Sequence, residues 1–356
     1  MPSSADPAVP PESPTASTAS AASTVEELAA AQAQRGGPLR FDEYLSIALY
    51  GAHGFYTVAG QAGRRGDFIT SPEVGPLFGT VLARWIEAEH RRQGEPDDFT
   101  VVECGAGPGT LARSVLQAAP QWAGRYVAVE VSAAQRAQHP VGVHSTAIMP
   151  QQPFHGVIVA NELLDNLPFR LAVFDGAWRE AHVQVAPDGA LSERLGPLAH
   201  PPPNLPASAP HGARAPIQQA AGQWVQSAQT RLLGGRVLTF DYCTARTAAL
   251  ALSPWREWLR TYRGHERGGH YLRDAGRQDI TTQVCLDQLP EPHAVRTQAQ
   301  FLQRWGIDEL VQEGRDGWAA AAAAPTLAAL RLRSRVREAE SLLDPAGLGG
   351  FLAVEW

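Results

Sequence analysis

Apolar residues keep two rhythms along this chain, and the change between them falls near residue 100. Before it, "VEELAAAQAQR" and "FDEYLSIALY" repeat at helical spacing, with Phe41, Tyr44, Leu45, Ala48 and Leu49 on one stripe. A glycine-rich passage, "GAHGFYTVAGQAGRRGDFITSPEVGPLF", follows. Near its end Ser71-Pro72 offers a capping hydroxyl and a first-turn proline, so a helix is predicted from about Pro72 to His90, with Leu77, Val81, Leu82, Trp85 and Ile86 inward. After residue 100 short runs of Val and Ile, "TVVECG", "RYVAVEVS" and "GVIVANELLDN", alternate with helical stretches. Runs without polar alternation are strands covered on both faces, which implies a parallel sheet with crossover helices. The expected class is α/β with a doubly wound core.

The remaining pattern decorates that core. "FRLAVFDGAWREAHVQVAPDGALSERL" alternates about Asp-Gly turns and predicts an antiparallel excursion. His200 to Pro216 reads as a loop, Gln218 to Leu233 as a helix, "GRVLTFDYC" as a further buried strand, "LAALRLRSRVREAESLL" as a last amphipathic helix and "GFLAVEW" as an edge strand. "LSPWREWLRTYRGHERGGHYL" mixes aromatic and basic residues, which suits a partner surface or a basic lid, although core packing is the commoner fate of such aromatics. Residues 1–24, rich in Pro, Ala, Ser and Thr, are expected to be a disordered tail. Residues 25–98 then form a helical or lid segment, and 99–356 a core with insertions at about 170–217 and 250–300.

Composition narrows the function classes. The 356 residues are 44% hydrophobic, enough for a full core, and carry a net charge of -6. The 30 basic residues, all arginine, are scattered, so no nucleic-acid footprint is expected. Cys104, Cys243 and Cys285 lie far apart, which predicts neither a disulfide framework nor a zinc site and fits a reducing cytoplasm. His265 and His270 have no metal-ligand spacing. No membrane span and no secretion signal are expected.

The candidate chemistry begins at "VVECGAGPGTL". A glycine loop between a buried strand and a helix presents backbone N–H groups and the helix dipole to a ligand. Gly105, Gly107 and Gly109 give G-x-G-x-G, with Thr110 where a dinucleotide site would have its third glycine. Glu103 would attract a cationic amino-acid moiety and repel a pyrophosphate, which favours a sulfonium cofactor over NAD. Glu130 ends the second strand, where an acid meets a ribose in such folds. Asn161 and Glu162 end the third, and Asp165 would share a face with Glu162 on a helical turn. The bland alternatives are exposed strand-end acids and Asn161 as a plain helix cap.

These residues resemble the MidA-like family of S-adenosylmethionine-dependent methyltransferases, which includes a mitochondrial assembly factor that methylates an arginine of a complex I subunit. The likeness is carried by "ALYGAHGFY", "GDFITSPEVGPLFG", "VECGAGPGTL", "VEVSAAQR", "ANELLDNLPFR", "DYC" and "GRQDITTQV". It implies a class I methyltransferase core of seven mostly parallel strands, an N-terminal helical segment and an inserted region over the site. It also implies S-adenosyl-L-methionine as cofactor and a protein arginine as acceptor, with a respiratory complex I subunit as partner, in a monomer or homodimer. Cys104, Ala106 and Pro108 depart from the family's loop, as do Thr80, Gly75-Pro76, Ser114 and Cys243 elsewhere.

For an arginine acceptor, deprotonating the free guanidinium at pH 7 would cost about 8 kcal/mol, so carboxylates should hold the cation while one nitrogen reacts. Glu162, Asp165 and Glu73 are the candidates, and Asp67, Thr70 and Ser71 are expected to cover the cofactor. Asp279 is the acid of "GRQDITTQV", placed near the site by the resemblance alone. Two rival classes remain: an NAD-linked oxidoreductase, disfavoured by Thr110 and the absence of lysine, and a non-catalytic assembly protein that keeps the fold.

Overall fold

A computed structural model describes residues 16–58, 70–199, 201–263, 266–324 and 326–356. Its central sheet contains β1 (Thr100–Cys104), β2 (Tyr126–Val129), β3 (Val143–Thr146), β4 (Phe154–Asn161), β5 (Leu232–Asp241), β6 (Ala294–Thr297) and β7 (Leu352–Glu355), in the spatial order β6-β7-β5-β4-β1-β2-β3. The first five strands are mutually parallel, and β7 runs antiparallel to both β5 and β6. The chain starts mid-sheet at β1, works outward through β2 and β3, and returns to the other side of β1 as β4. That reversal makes the carboxyl ends of β1 and β4 a topological switch point, where open α/β sheets bind ligands.

Both faces of the sheet are covered, as the continuous apolar runs predict. Val101, Val157, Val159 and Phe240 share one core with α3 (Pro76–Arg92), α4 (Thr110–Ala118), α6 (Gln298–Arg304), α7 (Ile307–Ala321) and α8 (Leu327–Leu343). Val102, Ile158, Ala160 and Val237 point the other way, against α5 (Gln219–Thr230). Each fully buried Val, Leu, Ile or Phe contributes about 1.5 to 3 kcal/mol, so alternate residues of one strand hold two cores together. α3 comes so close to α4 that a Cβ at position 79 would stand 2.4 Å from the Ser114 Cβ, which is why position 79 is glycine.

A second, antiparallel sheet carries Leu39–Arg40, Arg170–Phe174, Trp178–Val185, Leu191–Pro197 and Arg214–Ile217. It is the predicted excursion about Asp-Gly turns. Its core is closed by α2 (Phe41–Tyr50), whose predicted stripe of Phe41, Tyr44, Leu45, Ala48 and Leu49 is buried. No described helix is long and apolar enough to cross a membrane.

Four expectations change. A helix, α1 (Ala16–Arg35), replaces the part of the expected tail from Ala16 to Thr24, and buried Thr24 donates its hydroxyl to the His53 carbonyl at 2.8 Å. Residues 1–15 of that tail lie outside the described residues. The single helix expected from Pro72 to His90 is two, Ser71–Val74 and α3, because Pro76 disfavours a helical conformation at Gly75. The Glu338 carboxylate occupies the break, accepting from the Leu77 N–H at 2.9 Å. Arg214–Ile217 is a strand inside the expected loop, on a sheet edge that tolerates Pro216. The terminal strand β7 is interior; the edge is β6, whose short "AVRT" gave no apolar signal.

Candidate active site

The glycine loop leaves β1 with Gly105, Gly107 and Gly109 at φ of 71°, 53° and 78°, left-handed values that cost other residues about 1 to 2 kcal/mol each. Three contacts fix it. The Glu130 carboxylate accepts from the Gly107 N–H at 3.0 Å and from the Ser132 N–H at 2.8 Å. A His139 ring nitrogen lies 2.9 Å from the Gly107 carbonyl, and the Arg113 guanidinium donates to the Pro108 carbonyl at 2.7 Å. Ala106 and Pro108, the departures from the family loop, leave this conformation intact.

The loop borders a cavity of about 410 Å³ at the carboxyl ends of β1 and β4. Of the predicted residues, Thr70, Glu73, Glu103, Gly105, Gly107, Thr110, Glu130, Asn161 and Glu162 line it. Glu103 and Glu130 are buried, at 4% and 8% exposure, so they are not solvated strand-end acids. Burial pushes the Glu103 carboxyl up to about 8, and the Tyr126 hydroxyl, donating at 2.7 Å, works against that rise.

Gly109, Ser71 and Asp165 stand outside the lining, and Asp67 lies outside the described residues. Gly109 is instead the residue that turns the chain into α4. Ser71 neither caps its helix by side chain nor covers the cavity: its hydroxyl donates to the Gln298 side chain at 2.8 Å, while its backbone N–H serves the Glu162 carboxylate.

The cavity floor differs most from expectation. Glu162 sits at φ 51°, a conformation non-glycine residues rarely hold, and precedes a short turn, Leu164–Asn166. Asn161 does not cap that turn; its Nδ2 donates to Glu162 Oε1 at 3.1 Å. The cap is Asp241, at the end of β5, which accepts from the Leu164 N–H at 2.9 Å and the Asp165 N–H at 3.3 Å. Held by the Thr281 hydroxyl, buried Asp165 lies behind Glu162 instead of beside it. Burial, then mutual repulsion, raises the whole group: Glu162 and Asp241 to about 8, and Asp165 well above the usual carboxyl range. Among the described residues none of these three forms a salt bridge.

Residue reasoning missed Tyr50 and Tyr56, which stack at 5.5 Å on the cavity wall. Tyr56 donates to Asp279 at 2.9 Å and Tyr50 to the Asn166 carbonyl at 3.1 Å, so α2 and the following turn close the site from above. Their signal was present in "ALYGAHGFY", two tyrosines flanking a glycine turn. Asp241 was findable too, as an acid ending a buried strand at the sheet's ligand edge.

Residues 81–303 match the family model described as "Putative S-adenosyl-L-methionine-dependent methyltransferase". The chain belongs to this family. Within the methyltransferase family it is similar to "Protein arginine methyltransferase NDUFAF7 homolog, mitochondrial" of Drosophila melanogaster, 31% identical over 189 residues, 43% of each chain. It is also similar to the Danio rerio "Protein arginine methyltransferase NDUFAF7, mitochondrial", 25% identical over 328 residues, 78% of this chain and 75% of the fish protein. The first alignment thus spans less than half of the fly protein, and that with the human protein only 19% of its length. A structure from Burkholderia thailandensis bound to S-adenosyl-homocysteine superposes with a TM-score of 0.81 at 25% identity, covering 97% of this chain and 94% of that one.

The family's cofactor, S-adenosyl-L-methionine, fits the residues present. The cavity is of ligand size. Gly107, on the lining, holds a left-handed backbone where a side chain would press on Gln135, so bare main chain faces the cavity there. Asn161 Oδ1 is buried without a hydrogen-bond partner among the described residues, an acceptor suited to an ammonium. Glu103 and Glu130 would hold the amino-acid and ribose portions.

Proposed function

We propose that this chain transfers a methyl group from S-adenosyl-L-methionine to an arginine side chain of a protein substrate. The observation that carries this reading is the floor of the cavity, where Glu162 stands at a strained backbone position in front of Asp165 and Asp241 and, among the described residues, none of the three pairs with a cation. Strained, charge-crowded residues cluster at functional sites. When bound, S-adenosyl-L-methionine supplies an electrophilic methyl group whose transfer forms an N–C bond and returns the C–S electron pair to sulfur.

The chain's own residues orient the acceptor and receive its proton. A guanidinium entering past Tyr50 and Tyr56 restores the ionised form of Glu162, which then holds the cation and is placed to accept the proton that the methylated nitrogen loses. Glu73 is a further carboxylate within the lining, while Asp165 and Asp241 act through Glu162 and the turn they hold. The names of the fly and fish relatives support the arginine acceptor, and the family resemblance supports a respiratory complex I subunit as its source.

The test has two readouts. S-adenosylhomocysteine is expected to raise the melting temperature, by about 2.7 kcal/mol of added stability at a hundredfold excess over Kd. Labelled S-adenosyl-L-methionine incubated with host lysate should leave label on arginine of a protein band. Stabilisation by NADH alone would reinstate the oxidoreductase, and cofactor binding without label would leave an assembly protein.

A further inference from the structure

Residues within 254–261 and 267–273 line a groove of about 540 Å³ outside the cavity. Trp258 of this stretch is core, buried at 1% exposure, but the basic residues are not. Arg256, Arg267 and Arg273 are exposed and Arg260 half-buried, and none of the four closes a salt bridge with a described carboxylate. Glu257 is the one acid in the lining. In a chain of net charge -6 this is a local reversal of sign.

Two further features organise the groove. Trp255 is clamped between the Arg256 and Arg214 guanidinium groups, at 4.9 and 5.0 Å from its ring, and Arg214 is itself neutralised by Glu193 at 2.6 Å. Burial, then Arg214, holds the His270 imidazole below its ordinary range; Glu193 opposes this, and Arg256 and Arg273 add smaller lowering effects. The groove is also tied to the acid floor. Arg260 lies over the Tyr242 ring at 5.6 Å, next in sequence to Asp241, and pairs across the strand Leu259–Arg263 with Thr281, the partner of Asp165.

We infer that this groove docks an acidic segment of the substrate polypeptide, so that the target arginine enters the anionic cavity while neighbouring carboxylates lie along Arg256, Arg260, Arg267 and Arg273. The inference rests on the proposed arginine methylation and adds its specificity. A basic groove and an anionic cavity on one chain select a substrate carrying the complementary pattern, and a uniformly basic peptide is repelled by the groove.

The probe is a fluorescein-labelled peptide with one central arginine between two blocks of glutamate and aspartate, followed by anisotropy with the full chain at low salt. Wild type should bind it, R256E/R267E should bind roughly tenfold more weakly, and R331E/R333E on α8 should match wild type. All three should still be stabilised by S-adenosylhomocysteine. Binding unchanged in R256E/R267E, or equal binding of a peptide with glutamine in place of every acid, would overturn the inference. Tighter binding of a thymidine oligonucleotide at the same arginines would overturn it in favour of nucleic acid. Charge-dependent peptide binding without any response to S-adenosylhomocysteine would sustain the groove and sink the methyltransferase reading.

Discussion

Two carboxylates of the cavity, Glu130 and Glu162, are held in opposite ways. On the loop side both oxygens of Glu130 accept backbone N–H groups, at 3.0 and 2.8 Å, so its burial is offset and the carboxylate holds shape. On the floor Glu162, Asp165 and Asp241 raise one another, and Asp165 Oδ1 and Asn161 Oδ1 have no hydrogen-bond partner among the described residues. A satisfied acid is part of the scaffold. A crowded one is waiting for a cation. The sharpest way to break the contrast is Glu162→Gln, which keeps the size of the side chain and removes its charge. Methyl transfer into protein should fall at least about a hundredfold, as on loss of a preorganised electrostatic partner. Calorimetry should find S-adenosylhomocysteine binding within about twofold of wild type. Loss of less than threefold in transfer would move the acceptor subsite away from this floor.

The loop side is tested by Gly107→Ala. The backbone there is at φ 53°, and the new Cβ would meet the Gln135 side-chain oxygen at 3.2 Å. Left-handed strain of about 1 to 2 kcal/mol must be relieved by moving the loop, which loosens its bond to Glu130. Affinity for S-adenosylhomocysteine should drop roughly tenfold while the far-ultraviolet spectrum is unchanged. Wild-type affinity would mean that the ligand does not rest on this backbone.

The same contrast explains what could be read in advance. The doubly wound core was legible because Val101 and Val102, or Val157 and Ile158, must each be covered, and only a sheet between two helical layers does this. The loop wall was legible because glycine spacing and strand-end acids act through local geometry, and nine of the predicted residues meet at one cavity. The floor was legible in composition but not in arrangement. A three-residue spacing put Glu162 and Asp165 on one face, whereas Asp241, 76 residues beyond Asp165, caps the turn and sends Asp165 behind. Long-range capping leaves no local pattern, and neither does the stacking of Tyr50 on Tyr56 over acids from three other segments. Arg256 and Arg267 were visible as a basic stretch, but that neither meets a carboxylate among the described residues depends on how the strands pair, with the Arg267 guanidinium donating to the Arg256 carbonyl.

The smallest effect separates the walls by pH. Glu162 ionises near 4.5 when unfolded and at about 8 in the fold, so between those values the folded chain keeps a proton that the unfolded chain has lost. Protons bound in excess by the native state make stability fall as pH rises, and the loss is complete above about 8. Asp241 and Glu103, also raised to about 8, act with the same sign and remain in both proteins when wild type is compared with Glu162→Gln. The variant lacks one of these titrations and also relieves repulsion on Asp241. Its melting temperature should therefore decline less between pH 5 and pH 8, with a relative gain of roughly several degrees at the alkaline end. Calorimetric scans of the ligand-free chain measure it. Parallel curves would show that Glu162 is already ionised in the empty cavity, and the floor would then resemble the loop wall, an acid whose burial is offset by its neighbours.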